Sequence, residues 1–237
     1  MGSMRSAALL LGSDARACLA RARVMLLFTP ELCGARDPLE VLAAALPFVD
    51  VVQVRTKPAG ALAPTPAPAR MSWDWSLRVL DLARAPRTPD FVLTVDDRAD
   101  VAHALQGEGL AGVHLGQDDM PCAAAREFLG PEALIGLSTH GLQQVGEALE
   151  EPVDYLGFGP VHATRTKGYE RGLGSEGCWL ASEACALPLF PIGGIDRSNA
   201  QELARVGRAA VSSAILAADD PARAARELRA LLEPDER

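Results

Sequence analysis

The sequence predicts a single-domain (β/α)8 barrel, and three observations carry that prediction. Eight short, β-rich apolar runs recur along the chain. Stretches with helical spacing separate most of them. The 237 residues, 49% of them hydrophobic, can bury one large core but would be cramped as two ordinary domains. Strands that alternate with helices pair in parallel, and strands covered on both faces read as near-continuous apolar runs. An open doubly wound sheet has the same texture, but eight units is the barrel count and no GxGxxG follows the first run.

The elements follow in order. Residues 1–22 read as a leader of turn or helix. The apolar stretch from Ala7 to Leu11 is too short to cross a membrane, and Asp14 and Arg16 stand where a signal peptide carries small neutral residues. The barrel takes 23–237. Its first strand is VMLLFT from Val24, followed by helical spacing from Pro38 to Leu46; the second is VDVVQVR from Val49. The Pro/Ala-rich stretch from Pro58 to Arg70 is expected to be a loop over the functional face, placed to act as a lid. FVLTVD from Phe91, GVHLGQ from Gly112 and LIGLST from Leu134 are the third to fifth strands, with a helix over Gln143 to Glu150. YLGFGPV from Tyr155, PLFPIGG from Pro188 and AAVSSAI from Ala209 complete the barrel, with helical spacing over Asn199 to Val206 and Pro221 to Leu232.

Charge narrows the partners. Against 31 acidic residues stand 23 basic ones, a net charge of −8 with no Lys/Arg-rich run, which argues against nucleic acid or any polyanion surface. Phosphate specificity must then come from a few placed cations, backbone N–H groups and a metal. Cys18, Cys33, Cys122, Cys178 and Cys185 are scattered, odd in number and without a CxxC pair. They read as small buried apolar residues of a reduced, cytoplasmic protein.

Barrel enzymes carry their chemistry where strands end, and polar residues collect there. They are Gln53, Arg55 and Lys57; Asp96, Asp97 and Arg98; His114, Gln117, Asp118 and Asp119; Ser138, Thr139 and His140; Thr164, Thr166 and Lys167; Gly193 and Gly194; and Ser212 and Ser213. Arg55 and Lys57 share a strand face, so two cations can converge on one anion. Gly193-Gly194 with Ser212-Ser213 matches the phosphate cradle formed after strands 7 and 8, although a plain turn capped by Asp196 or Ser198 would use the same residues. Asp97 and Asp119 end neighbouring strands, and two hard oxygen ligands plus substrate phosphate oxygens suit Mg2+. The spacing leaves open whether Asp97 pairs with Arg98 or caps a helix, and whether Asp118 points inward instead. His114 reads as a substrate-orienting or barrel-filling residue, and His103 and His162 as structural.

The motif order resembles the thiamine-phosphate synthase family. The resemblance runs from Val24 to Leu232 through QVRTK (Gln53 to Lys57), VDDRADVA (Val95 to Ala102), GVHLGQDDMP (Gly112 to Pro121), IGLSTH (Ile135 to His140), DYLGFGPVHATRTK (Asp154 to Lys167), PIGGI (Pro191 to Ile195) and SAI (Ser213 to Ile215). It implies a barrel enzyme that joins a pyrimidine methyl diphosphate to a thiazole phosphate and releases pyrophosphate. Asp97 and Asp119 would be the Mg2+ ligands, and Arg55, Lys57, Ser138 and Lys167 the diphosphate binders. Gln53, His114 and Gly116 would hold the pyrimidine; Thr164, Thr166, Gly194 and Ser213 would hold the thiazole phosphate. The implied mechanism is dissociative and needs no protein nucleophile. The partners are small phosphorylated molecules, with no nucleic acid or membrane, and a homo-oligomer is compatible with the fold.

This chain departs from the family at Asp96, where Asn is usual before the metal Asp, and at Thr56, where an acidic residue is usual. Its Pro/Ala loop is longer, and the segment from Gly207 to Ser213 is shorter. Two alternatives remain: a thiazole tautomerase-like sister, whose catalytic His would be His140, and a non-catalytic barrel that binds thiamine precursors.

Overall fold

Each of the eight apolar runs forms a strand, and every ladder is parallel, because helices on the outside and barrel filling on the inside leave no face for water. The computed structural model describes residues 9–56, 68–162 and 172–233. The strands are β1 (Val24–Phe28), β2 (Val51–Val54), β3 (Val92–Asp96), β4 (Gly112–Leu115), β5 (Leu134–Thr139), β6 (Tyr155–Phe158), β7 (Leu189–Pro191) and β8 (Ala209–Val211). They pair in sequence order from β1 to β7, and β8 returns to the free side of β1. A single bridge between Ile192 and Ala210 joins β7 to β8 and closes the barrel.

Alternation along each strand sorts two cores. Val24, Leu26, Phe28, Val52, Val54, Leu93, Val95, Val113, Ile135, Leu156 and Val211 face outward into the helices. Met25, Leu27, Val51, Val92, Leu134, Tyr155, Phe190 and Ala210 face inward and fill the barrel. The outer layer contains α2 (Pro38–Ala45), α3 (Ala69–Ala83), α4 (Ala99–Leu105), α5 (Cys122–Leu129), α6 (Leu142–Ala148), α7 (Gly174–Ala184), α8 (Ser213–Leu216) and α9 (Pro221–Leu231). Asp37 and Asp220 cap α2 and α9 through the N–H groups of Leu39 and Arg223, each with Pro in the first turn.

The segment before β1 takes part in this packing. Leu9 bridges Phe91, and α1 (Gly12–Arg21) buries Ala15, Cys18 and Leu19 among the inward-facing strand residues, so it forms the barrel floor. Arg208 donates to the Leu19 and Ala20 carbonyls at the C-terminal end of α1, where helix carbonyls lack internal partners.

Two expectations need correction. The loop expected to run to Arg70 ends earlier, because α3 starts at Ala69; its residues 58–67 lie outside the described ones. The expected helix from Asn199 to Val206 is only a 3-10 turn over Ala200–Leu203. Asn199 is drawn back to the Gly194 carbonyl and Gly207 takes φ +74, so turns fix both ends with too few residues between them for a stable α-helix.

All five cysteines are buried and free of disulfides. Burial pushes the Cys122 thiol up to about 11 and the Cys178 thiol up to about 12, so both remain protonated and unreactive. Among the described residues, no helix is long and apolar enough to cross a membrane.

At the floor, Asp154 accepts from Arg16 Nε at 2.8 Å, Arg126 Nη2 at 2.7 Å and the Ile135 N–H at 2.8 Å. Both arginines also donate to the Pro131 and Ala133 carbonyls, so one carboxylate ties α1, α5, β5 and β6 together. Asp154→Ala should lower unfolding free energy in urea by about 2–3 kcal/mol, less than for a fully buried pair because both guanidinium groups are partly exposed.

Candidate active site

Inside the barrel, polarity rises along the strands. Val51, Val92, Leu134 and Tyr155 lie near the floor. Two residues further on, each strand presents Gln53, Thr94, Gly136 and Gly157, with His114 on β4 between them. At the ends of β2, β3 and β5 come Arg55, Asp96 and Ser138. An apolar base with polar groups converging at its mouth is the form of a small-molecule site.

His114 is 8% exposed, and its Nε2 lies 2.9 Å from Ser138 Oγ. Its ring centroid is 5.4 Å from that of Tyr155. Both rings fit because neighbouring strands carry glycine. A Cβ on Gly136 would sit 2.2 Å from Tyr155 Cζ and 2.5 Å from His114 Nδ1, and one on Gly157 would be 3.3 Å from His114 Cε1. Sequence reasoning did not single out Gly136 or Gly157. The signal was their inward phase, level with a bulky residue on the next strand. Burial pushes the Tyr155 hydroxyl to a pKa above its usual range, while Thr94 and Gln53 beside it act in the opposite direction, so it remains a neutral phenol.

The rim carries the charges. Arg55 Nε lies 3.5 Å from Asp96 Oδ2, with both side chains mostly buried. Asp97 adopts φ +61, and its N–H donates to the His114 carbonyl at 2.8 Å, which pins the end of β3 to β4. Arg98 pairs with Asp100 and is itself the N-cap residue of α4. Between the two acidic candidates after β4, Asp118 is exposed, whereas Asp119 turns back so that its Oδ2 accepts from the Gly116 N–H at 2.7 Å. A Cβ at Gly116 would meet Asp119 Oδ2 at 2.9 Å, so a side chain there would displace that carboxylate. Gln117 donates to the Ser138 carbonyl at 2.6 Å and links the ends of β4 and β5. Thr56 is buried and shares a 3.0 Å hydrogen bond with Ser72 of α3, so it belongs to the wall.

Across the mouth, Gly193 (φ +103) and Gly194 (φ +65) form a turn that a side chain would strain. Asn199 and the His162 N–H hold it by donating to the Gly194 and Gly193 carbonyls. Asp196 accepts from the Ser198 N–H and hydroxyl, which holds its carboxyl below the usual range and makes it a turn cap. Ser212 departs from the expected cradle: its hydroxyl donates to the Leu27 carbonyl at 2.7 Å, tying it to β1. Ser213 next to it is exposed. His140 Nδ1 lies 2.6 Å from the Gly159 carbonyl, so that nitrogen donates to it.

Lys57, Thr164, Thr166 and Lys167 lie outside the described residues. The structure therefore brings together Gln53, Arg55, Asp96, Asp97, His114, Gly116, Asp119 and Ser138 on β2 to β5, with Gly193, Gly194 and Ser213 at the ends of β7 and β8. Among the described residues, no group of three or more His, Cys, Asp or Glu side chains could hold a metal ion. A cation at Asp97 and Asp119 would need further oxygen ligands from substrate or water.

Residues 24–215 match the family model described as thiamine monophosphate synthase. The chain is 41% identical over 214 residues to a thiamine-phosphate synthase of Gloeobacter violaceus, covering 90% of this chain and 58% of that protein. It is 40% identical over 193 residues to one of Chloroflexus aurantiacus, covering 80% of this chain and 82% of that one. The fold is similar to that of thiamine phosphate pyrophosphorylase from Pyrococcus furiosus, with a TM-score of 0.74, 31% identity, and coverage of 90% and 96% of the two chains. A 3-hexulose-6-phosphate synthase with 18% identity and a TM-score of 0.62 shares the fold alone.

Gly136→Ala should displace the His114 or Tyr155 ring, shift the His114 imidazole resonances and cost about 1–3 kcal/mol through overpacking. Gly146→Ala at an exposed position of α6, where a Cβ meets open space, should leave those resonances in place and stabilise by about 0.5–1 kcal/mol.

Proposed function

The chain belongs to the thiamine monophosphate synthase family, and from that premise we propose that it joins a pyrimidine methyl diphosphate to a thiazole phosphate, giving thiamine phosphate and pyrophosphate. The observation that carries this reading is the grouping of Arg55, Asp96, Asp97, Asp119 and Ser138 on the adjoining ends of β2 to β5, opposite the Gly193-Gly194 turn. One side offers charge for a diphosphate, the other offers backbone N–H groups for a monophosphate, and the apolar-based barrel mouth between them holds two rings.

The roles follow the family resemblance, and the positions of the described residues support them. Gln53 and His114 line the deeper part of the mouth and Gly116 its rim, and together they orient the pyrimidine, with His114 held by Ser138. Arg55, Lys57, Ser138 and Lys167 bind the diphosphate. Gly193, Gly194, Thr164, Thr166 and Ser213 take the thiazole phosphate, while the Ser212 hydroxyl stays on β1. Asp97 and Asp119 fit Mg2+ as hard oxygen donors on neighbouring strand ends. Mg2+ bound there would supply Lewis-acid neutralisation of the leaving diphosphate.

The methylene C–O bond breaks with its electron pair leaving on the diphosphate. The electron-rich pyrimidine carries the resulting cation, and the thiazole nitrogen lone pair forms the new C–N bond. The protein supplies no nucleophile. Its contribution is to hold two rings in line and to place cations where negative charge develops. The protein's partners are these small phosphorylated substrates, and its five buried thiols suit a reducing cytoplasm.

Purified protein given both substrates and Mg2+ should form thiamine phosphate and pyrophosphate in equal amounts, and a chelator should abolish both. Arg55→Gln and Asp97→Asn should each lower kcat/KM by at least about 100-fold. Asn tolerates the left-handed conformation at position 97, so the unfolding midpoint of Asp97→Asn should barely move. Isomerised thiazole phosphate without coupled product would move the assignment to the tautomerase branch and make His140 the residue to test.

A further inference from the structure

The register pairs Gln53 with Thr94, so the next inward residues of β2 and β3, Arg55 and Asp96, meet across the same ladder. Their Nε and Oδ2 atoms are 3.5 Å apart, and the side chains are only 16% and 12% exposed. A carboxylate this close to a partly desolvated guanidinium offsets much of the positive field that Arg55 would otherwise direct into the mouth. It also restrains a side chain that would otherwise sample many rotamers.

We propose that Asp96 is a positioning residue that acts through Arg55 and sets selectivity between the diphosphate-bearing substrate and free pyrophosphate. The inference rests on the reading of Arg55 as a diphosphate binder. Free pyrophosphate carries an ionisable oxygen where the substrate has a neutral ester oxygen, so more of its binding depends on the local positive field, whereas the substrate also has its ring contacts with Gln53 and His114. Weakening the field of Arg55 therefore loosens the bare anion more than the ester. The product leaves readily, and the substrate is retained.

The test is a double-mutant cycle read by calorimetric titration with inorganic pyrophosphate in Mg2+ buffer, alongside KM and kcat for the coupled reaction. Asp96→Asn should bind pyrophosphate about tenfold tighter, which corresponds to about 1.4 kcal/mol, and lower KM for the pyrimidine diphosphate by a smaller factor. Product inhibition should rise accordingly. In an Arg55→Gln background, the same change should tighten pyrophosphate binding markedly less, because the shared cation is gone.

Weaker pyrophosphate binding by Asp96→Asn would overturn the inference and make Asp96 a brace that Arg55 needs. Equal tightening in both backgrounds would also overturn it, since Asp96 would then act by its own field. A lower unfolding midpoint with unchanged pyrophosphate affinity would reduce Asp96 to a structural role. If the wild-type protein bound pyrophosphate but formed no thiamine phosphate, the synthase reading would fail while the Asp96 cycle remained measurable. If it bound no pyrophosphate, both would fail.

Discussion

A closed sheet of eight parallel strands encloses a space that only its own side chains can fill, and this filling requirement governs the rest of the molecule. Half of each strand's residues point into that space. Near the floor they are Met25, Val51, Val92, Leu134, Tyr155, Phe190 and Ala210. The strands alone do not seal the end, so Ala15, Cys18 and Leu19 of α1 complete the packing, and the Asp154 network holds α1 in place. Packing at this density leaves little freedom, which is why Tyr155 and His114 face glycines at 136 and 157 rather than another side chain.

The same requirement gives the mouth its rigidity. Each rim residue extends from a strand whose lower half is locked in the core, so Arg55, Asp96, His114 and Ser138 are placed by the sheet itself. Short bonds refine the placement: Asp97 N–H to the His114 carbonyl and Gln117 to the Ser138 carbonyl join neighbouring strand ends, and the Gly116 N–H to Asp119 fixes the turn after β4. Preorganisation of this kind is what the proposed reaction would depend on, since charge placement and alignment are what a protein without a nucleophile can supply.

The electrostatics are local. A chain with net charge −8 does not attract anions by its overall field. Its cations act at short range, and at least one of them, Arg55, is shared with a carboxylate of the protein. Elsewhere charge serves the fold: Arg208 closes the end of α1, and Arg16 and Arg126 converge on Asp154.

Strand order, parallel pairing and the positions of rim residues were legible in the sequence because they follow from apolar period and strand direction, which are local properties. The GVHLGQDDMP run placed both candidate carboxylates after one strand, and only folding decided between them, since Asp119 reaches back to the Gly116 N–H while Asp118 faces water. The part of the leader from Leu9 to Arg21 looked peripheral because its partners, the inward faces of distant strands, are adjacent to it only once the barrel closes. Gly136 and Gly157 looked like ordinary strand glycines until two rings from neighbouring strands were brought against them. The Arg55–Asp96 contact joins residues far apart in the chain through the β2–β3 register. The sequence by itself determined what each strand is and which groups stand at its end; the tertiary structure decided which of those groups touch, because contact across a barrel is set by register and closure, and these are properties of all eight strands together.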